Sequence, residues 1–214
     1  MELSGKRALV TGSTLGIGRA IAEALLREGA SVIINGRDGD RVAEVAAELS
    51  SLGEVVGIAA DMSGAGGAEA LIEKTDGPID ILVNNVGAFE VTPFFEIGDA
   101  DWTAMFELNV MSGVRMSRAL MPTMLDRDWG RIIFIGSDQS AKPNPLMAHY
   151  AMTKTAQVSI ARSLAELTVG GNVTVNTVLA APTWTDGVAA FMEQMADIEG
   201  ANPEEMSKAY FADG

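Results

Sequence analysis

Tyr150 and Lys154 stand four positions apart in "HYAMTK", within a stretch of helical spacing. Four residues is just over one helical turn, so the phenol and the ammonium share a face. That pairing is a candidate proton-transfer device. A free phenol has a pKa of roughly 10, and bringing it to about 7 takes roughly 4 kcal/mol of differential stabilisation. A positive charge one turn away supplies part of that. Two further polar residues accompany the pair. Ser137 ends the apolar run "RIIFIGS", and Asn109 interrupts the largely apolar "FELNVMSG". A buried amide without partners costs on the order of 1–3 kcal/mol, so Asn109 is either a satisfied core residue or part of a site.

The elements that must position these groups alternate along the chain. Short β-rich apolar runs, "RALVTG", "SVIING", "EVVGIAA", "IDILVNN", "RIIFIGS" and "NVTVNTVLA", recur about every 20 to 45 residues. Between them lie stretches with helical spacing. Residues 17–28 carry Ile17, Ala20, Ile21, Ala24 and Leu25 on one stripe, and 41–52 repeat this with Val42, Val45, Ala46 and Leu49. The longest cover 101–125 and 147–167. Strands apolar on both faces, separated by helices, predict a six-stranded parallel sheet covered on two sides. This is a doubly wound α/β fold in one domain, 1–214. Beyond Pro182 the pattern predicts one or two amphipathic helices broken at 200–203, and no further strand.

Composition narrows the function. With 214 residues, 48% apolar and 21% charged, the chain can bury a good core. A net charge of -14 repels nucleic-acid phosphates and anionic membranes. There is no cysteine for disulfides or thiolate metal sites, and the one histidine, His149, cannot build a metal cluster alone. No apolar run reaches membrane-span length, and "MELSGKRALVTG" enters a strand at once, leaving no room for a signal peptide. A soluble, cytoplasmic protein with no metal, nucleic-acid or membrane partner is expected.

The first strand runs into "TGSTLGIGRA", which places Gly12, Gly16 and Gly18 at a strand-to-helix turn. Gly12 permits the turn, Gly16 lets backbone approach a pyrophosphate, and Gly18 lets the helix pack on the sheet. The N–H groups at the helix start attract the phosphate. A nucleotide is the expected ligand.

This glycine spacing resembles the opening of the short-chain dehydrogenase/reductase family. Further signatures follow in the family's order: "NNVG" at 84–87, with Val86 in place of an alanine, then Asn109, Ser137, Tyr150 and Lys154. The resemblance covers essentially the whole chain. It implies a Rossmann-type sheet with helices on both faces, here with the family's C-terminal seventh strand missing. It also implies an NAD(P)-dependent oxidoreductase interconverting a secondary alcohol and a ketone by hydride transfer. In that reading Tyr150 is the acid/base and Ser137 holds the carbonyl oxygen. Lys154 lowers the phenol pKa, together with the oxidised nicotinamide, and binds the nicotinamide ribose. Asn109 fixes a water that links Lys154 to solvent. Cofactor contacts fall to Gly12, Ser13, Thr14, Gly16, Ile17, Gly18, Arg37, Asp61, Met62, Asn85, Gly87, Tyr150, Lys154, Pro182 and Thr183. A catalytically impaired nucleotide sensor, or an isomerase or dehydratase on the same scaffold, is the alternative; the intact Ser137, Tyr150 and Lys154 argue against both.

At the end of the second strand, "IINGRDGDR" offers Gly36 and Arg37 where an acid would favour NAD. A guanidinium there grips a 2′-phosphate, so NADP is preferred, with NAD still possible through Asp38. Asp38 or Asp40 would otherwise cap the next helix. Where the family has Pro-Gly after the sixth strand, this chain has Ala180 and Ala181, then Pro182 and Thr183; a positive φ at alanine would be strained. The unpaired edge left by a missing strand invites another chain. The resemblance implies a homodimer or homotetramer through the helices bearing Asn109 and Tyr150. The small-molecule pocket is expected from Phe89 and Glu90, residues 139–147, and a lid over 183–214 with Trp184, Phe191 and Met192. An acyl chain on an acidic carrier protein would need a basic patch, for which Arg115, Arg118, Arg127 and Arg131 are the candidates.

Overall fold

The structure is a computed structural model, which describes residues 3–185 together with 188–189, 192–193, 196, 200–202, 205 and 207–208. Six strands form the sheet: β1 (Arg7–Val10), β2 (Ser31–Gly36), β3 (Val55–Ala59), β4 (Ile81–Asn84), β5 (Gly130–Ser137) and β6 (Val173–Ala180). The helices are α1 (Gly16–Arg27), α2 (Gly39–Leu49), α3 (Ala65–Lys74), α4 (Asp99–Phe106), α5 (Ser112–Asp126) and α6 (Ala148–Glu166). All strand pairs are parallel, in the order β3-β2-β1-β4-β5-β6. The doubly wound α/β class follows as expected.

Alternation along each strand feeds two cores. Leu9, Ile33, Leu82, Ile132 and Phe134 point to one face, where Leu71 of α3, Met116 and Met124 of α5 and Ala161 of α6 cover them. Ala8, Val10, Val32, Ile34 and Val83 point to the other, under Ala22 and Leu26 of α1 and Val45 and Leu49 of α2. The covering is complete only in the middle of the sheet. In the edge strand β6, Val173 and Val175 are buried while Thr174, Asn176 and Val178 are exposed. An edge strand packed by a helix on one side alone reads as alternating, whatever its composition.

The long helix expected over 101–125 differs in one respect. Between α4 and α5, residues Glu107–Met111 form a π turn. Such a turn inserts one extra residue and frees a backbone carbonyl. Within this turn the Asn109 carbonyl accepts from Gln157 Nε2 at 2.6 Å. No described helix is long and apolar enough to cross a membrane. The tail helices expected beyond Pro182, like Phe191, lie largely or wholly outside the described residues.

Sequence pattern gave Asn35 no role beyond a strand position, yet this fully buried residue ties three strands together. Its Nδ2 donates to the Ile58 and Ala60 carbonyls, each at 3.2 Å, and its Oδ1 accepts from Gly12 N at 3.3 Å. Asn35→Ala leaves the buried Ile58 carbonyl and the part-buried Ala60 carbonyl short of a donor. It is expected to cost about 2–3 kcal/mol in urea unfolding; a loss below about 0.5 kcal/mol refutes the tie.

Candidate active site

Sheet order reverses at β1. Its chain leaves toward α1 on one face, while neighbouring β4 leads to α4 and α5 on the other, so a crevice opens at the carboxyl ends of the two strands. The cleft there has a volume of ≈ 560 Å³, within the usual range for ligand sites.

The phosphate end is built from backbone. Gly12 has φ +62°, and a Cβ there would lie 2.9 Å from Val86 Cα. Gly18 has no room either: its Cβ would fall 2.4 Å from both Gly12 O and Asn85 Nδ2. The loop is clamped by Asn85, whose Nδ2 donates to the Thr11 and Gly12 carbonyls at 2.9 and 2.8 Å. Thr11 Oγ1 in turn accepts from the N–H groups of Asn85 and Val86. Helix α1 begins with no side-chain cap and no acid in its first turn. Its first N–H groups are left for an anion, and the macrodipole favours one.

Arg37 and Asp61 mark the other end of the cleft. Asp38 does not line it. Its carboxylate caps α2, accepting from Arg41 N at 3.0 Å, so it is committed to the helix rather than turned to a ribose. Asp61 is held below the usual carboxylate range, chiefly by the Ser63 N–H, then by the Ser63 hydroxyl, with a weaker pull from Arg37.

At the centre, Ser137, Tyr150 and Lys154 all line the same cleft. Ser137 ends β5, in register with Ala180 of β6. The Lys154 ammonium lies 5.6 Å from the Tyr150 ring centroid and donates to the Ile135 carbonyl at 2.8 Å. Burial pushes its pKa down to about 8. The Tyr150 ring meets Phe89 edge to face, with centroids 6.1 Å apart. Ser137 Oγ donates to Asp138 Oδ1 at 2.9 Å and accepts from Gln139 N at 3.2 Å.

Of the residues expected to contact a cofactor, Gly12, Thr14, Gly16, Ile17, Gly18, Arg37, Asp61, Met62, Asn85, Gly87, Tyr150, Lys154, Pro182 and Thr183 line the cleft. Ser13 does not. It is fully buried, donating to Val10 O at 2.7 Å and accepting from Asn35 N at 2.9 Å, so it braces the loop from behind. Asn109 is fully buried as well. Its Nδ2 donates to Ala88 O at 2.8 Å and Thr153 Oγ1 at 3.0 Å, and its Oδ1 accepts from Ala88 N at 2.8 Å. Both amide hydrogens thus go to protein oxygens, and the side chain joins the loop after β4 to α6. With Gln157 on its backbone carbonyl, Asn109 ties the loop after β4 to α6.

Among the expected pocket residues, Phe89, Gln139 and Met147 line the cleft, whereas Glu90 and Trp184 do not. Met192 packs with Val91 and Met147. Asp138, which pattern gave no reason to single out, lines it too. Neither Ala180 nor Ala181 has positive φ, since Asp128 is the one described non-glycine that does, so the strain considered for this turn is absent. The arginine patch is largely engaged internally. Arg115 pairs with Glu107 at 2.7 Å and Arg127 with Asp80 at 2.6 Å, while Arg131 lies over Trp129.

The folded protein binds the Lys154 proton less tightly than the unfolded chain, whose lysine value is 10.5. Burial of the ammonium therefore costs stability below about pH 8, and the cost fades as pH rises toward the unfolded value. The stability of Lys154→Met relative to the parent protein is expected to fall by about 2–3 kcal/mol between pH 7 and pH 10 in urea unfolding, at about 1.4 kcal/mol per pH unit. A difference that stays constant with pH overturns the assignment of a depressed pKa.

The model of the short chain dehydrogenase family matches residues 6–196. The protein called uncharacterized oxidoreductase YvrD from Bacillus subtilis (strain 168) is 50% identical over 213 residues, covering 99% of this chain and 81% of its own. Among solved structures, L-sorbose reductase from Gluconobacter frateurii, complexed with NADPH and L-sorbose, superposes with a TM-score of 0.88. It is 32% identical and covers 96% of this chain and 80% of its own. A 3-oxoacyl (acyl-carrier-protein) reductase from Agrobacterium tumefaciens C58 with NADP bound gives a TM-score of 0.85 at 35% identity, covering 98% and 87%. With the glycine loop, the sheet order and these relatives in agreement, the chain belongs to the short-chain dehydrogenase family of NAD(P)-dependent oxidoreductases.

Proposed function

We propose that the protein interconverts a secondary alcohol and a ketone, using NADP(H) in preference to NAD(H), with Tyr150 as the acid/base. The observation that carries this is the meeting of Ser137, Tyr150 and Lys154 on one cleft whose other walls are the glycine loop and Arg37. The residues present fit a dinucleotide: an uncapped helix start for the pyrophosphate, reached by a tight turn in which Gly12 and Gly18 have no room for a Cβ. Arg37 would hold the 2′-phosphate, with Asp38 committed to the α2 cap and the Asp61 carboxylate at this end of the cleft held by Ser63 and drawn toward Arg37.

When bound, the dinucleotide supplies or accepts the hydride. The rest is proton handling and placement by the chain. In reduction Tyr150 gives its proton to the carbonyl oxygen, and Ser137 donates a hydrogen bond that strengthens as charge builds there. Lys154, still mostly protonated at neutral pH with its pKa near 8, stabilises the phenolate that remains. Asn109 holds Ala88 and Thr153, which fixes α6 against the loop after β4.

The family likeness of the helices bearing Asn109 and Tyr150 supports their pairing with a second copy. Residues 183–214 are proposed as a lid, since Thr183, Thr185 and Val188 line the cleft. The engaged arginines favour a free small molecule over an acyl chain on a carrier protein.

Tyr150→Phe is expected to lower kcat by at least about 10³-fold with ketone and NADPH while leaving the NADPH Kd within about threefold; retained turnover sinks the assignment. Loss of a bidentate charged contact in Arg37→Ala should raise KM for NADPH at least about tenfold and leave KM for NADH nearly unchanged. Equal effects on both would show that Arg37 does not read the 2′-phosphate and would overturn its role in the preference.

A further inference from the structure

The hydroxyl proton of Ser137 is already bound. Ser137 Oγ donates it to Asp138 Oδ1, 2.9 Å away, while the N–H of Gln139 donates to Ser137 Oγ from another side. A serine that must donate to a carbonyl oxygen cannot do so while its one hydrogen points at a carboxylate. Asp138 also faces the cleft, so its negative charge lies beside the place where an alkoxide develops. Like charges oppose there, which makes a bare carboxylate costly at this point. Among the described residues the Asp138 carboxylate has no ion pair and no side-chain donor other than Ser137. Lys154, the nearest cation along the cleft wall, is bonded to Ile135 O. Arg37 lies at the opposite end with Asp61.

A ligand can resolve both difficulties at once. If Ser137 turns its proton to the carbonyl oxygen, Asp138 loses its donor, and a hydroxyl of the ligand can replace it. The two oxygens of an α-hydroxyketone lie about one hydrogen-bond length apart, which matches the 2.9 Å from Ser137 Oγ to Asp138 Oδ1. We infer that Asp138 is a specificity-determining residue that selects neutral ketones bearing a hydroxyl on the carbon next to the carbonyl. The ligand hydroxyl donates to the Asp138 carboxylate as Ser137 swings its own proton to the carbonyl oxygen. A plain ketone leaves the carboxylate undonated, and a ketone carrying its own carboxylate adds repulsion. The inference rests on the reductase reading of the site and names its substrate class.

The test compares hydroxyacetone with 2-butanone, which has a methyl in place of the hydroxyl. The kcat/KM ratio of the two with NADPH is measured in the parent protein and in Asp138→Ala, so that intrinsic reactivity cancels. The ratio is expected to fall at least about tenfold in Asp138→Ala, and less in Asp138→Asn, which keeps an acceptor oxygen. A ratio unchanged within about twofold in both variants, or a larger loss in the asparagine variant, overturns the inference. Should neither ketone turn over, calorimetric binding to the NADPH complex decides. Tighter binding of hydroxyacetone that is lost in Asp138→Ala supports the inference while sinking the reductase reading. Equal affinities sink the inference.

Discussion

The pairing of β1 with β4 is the constraint on which the site depends. The two strands are neighbours in the sheet but enter their helices on opposite faces. Backbone that would otherwise close over the sheet is pulled apart at this point, and the crevice follows from connectivity rather than from any one side chain. What keeps the crevice in shape is polar. Thr11, Asn85 and Asn35 bond the glycine turn to β4 on one side and, through β2, to β3 on the other. These groups are buried or nearly so, where a lost partner is costly, so the turn has little freedom to relax.

The same economy governs the wall that carries Ser137, Tyr150 and Lys154. Burying an ammonium opposes folding, yet Lys154 is 5% exposed and holds only a backbone carbonyl among the described residues. A polar group kept under such a penalty is characteristic of functional sites, where perturbed titration serves the chemistry. Asn109 shows the opposite case. Its buried amide is well supplied with partners, and it serves by fixing the distance between the β4 loop and α6. Gly87 sits between the two: a Cβ there would lie 3.2 Å from Asn109 Oδ1 and 3.7 Å from Lys154 Nζ. A side chain at that position would crowd the Asn109 amide oxygen.

Charge on this protein is distributed so that the net -14 says little about the cleft itself. Two of the arginines open to a partner protein by sequence are paired within the fold, Arg127 with Asp80 and Arg115 with Glu107. The charges lining the cleft number few among the described residues, with Arg37 and Asp61 at one end and Lys154 and Asp138 beside Ser137. Selectivity in such a site comes from which hydrogen-bonding capacity is left open when the pocket is empty of partners.

Sequence by itself determined the alternation of strands and helices, the glycine turn and the linear order of Ser137, Tyr150 and Lys154. Each of these is local: apolar period, backbone permissiveness and spacing within one helix are written in neighbouring residues. The arginine at the end of β2 was legible for the same reason, because strand ends in this fold face the ligand. Tertiary structure alone decided what the buried polar groups do. That Asn109 ties Ala88 to Thr153, that Asn35 spans three strands, that Asp38 caps α2 and that Asp138 holds the Ser137 proton all depend on partners or competing geometries that spacing does not specify. The π turn has the same origin, since an extra residue in a helix is tolerated where packing supplies its carbonyls with donors, and Gln157 donates to that of Asn109. Hydrophobic patterning is a property of segments; the satisfaction of a buried donor is a property of the assembled fold.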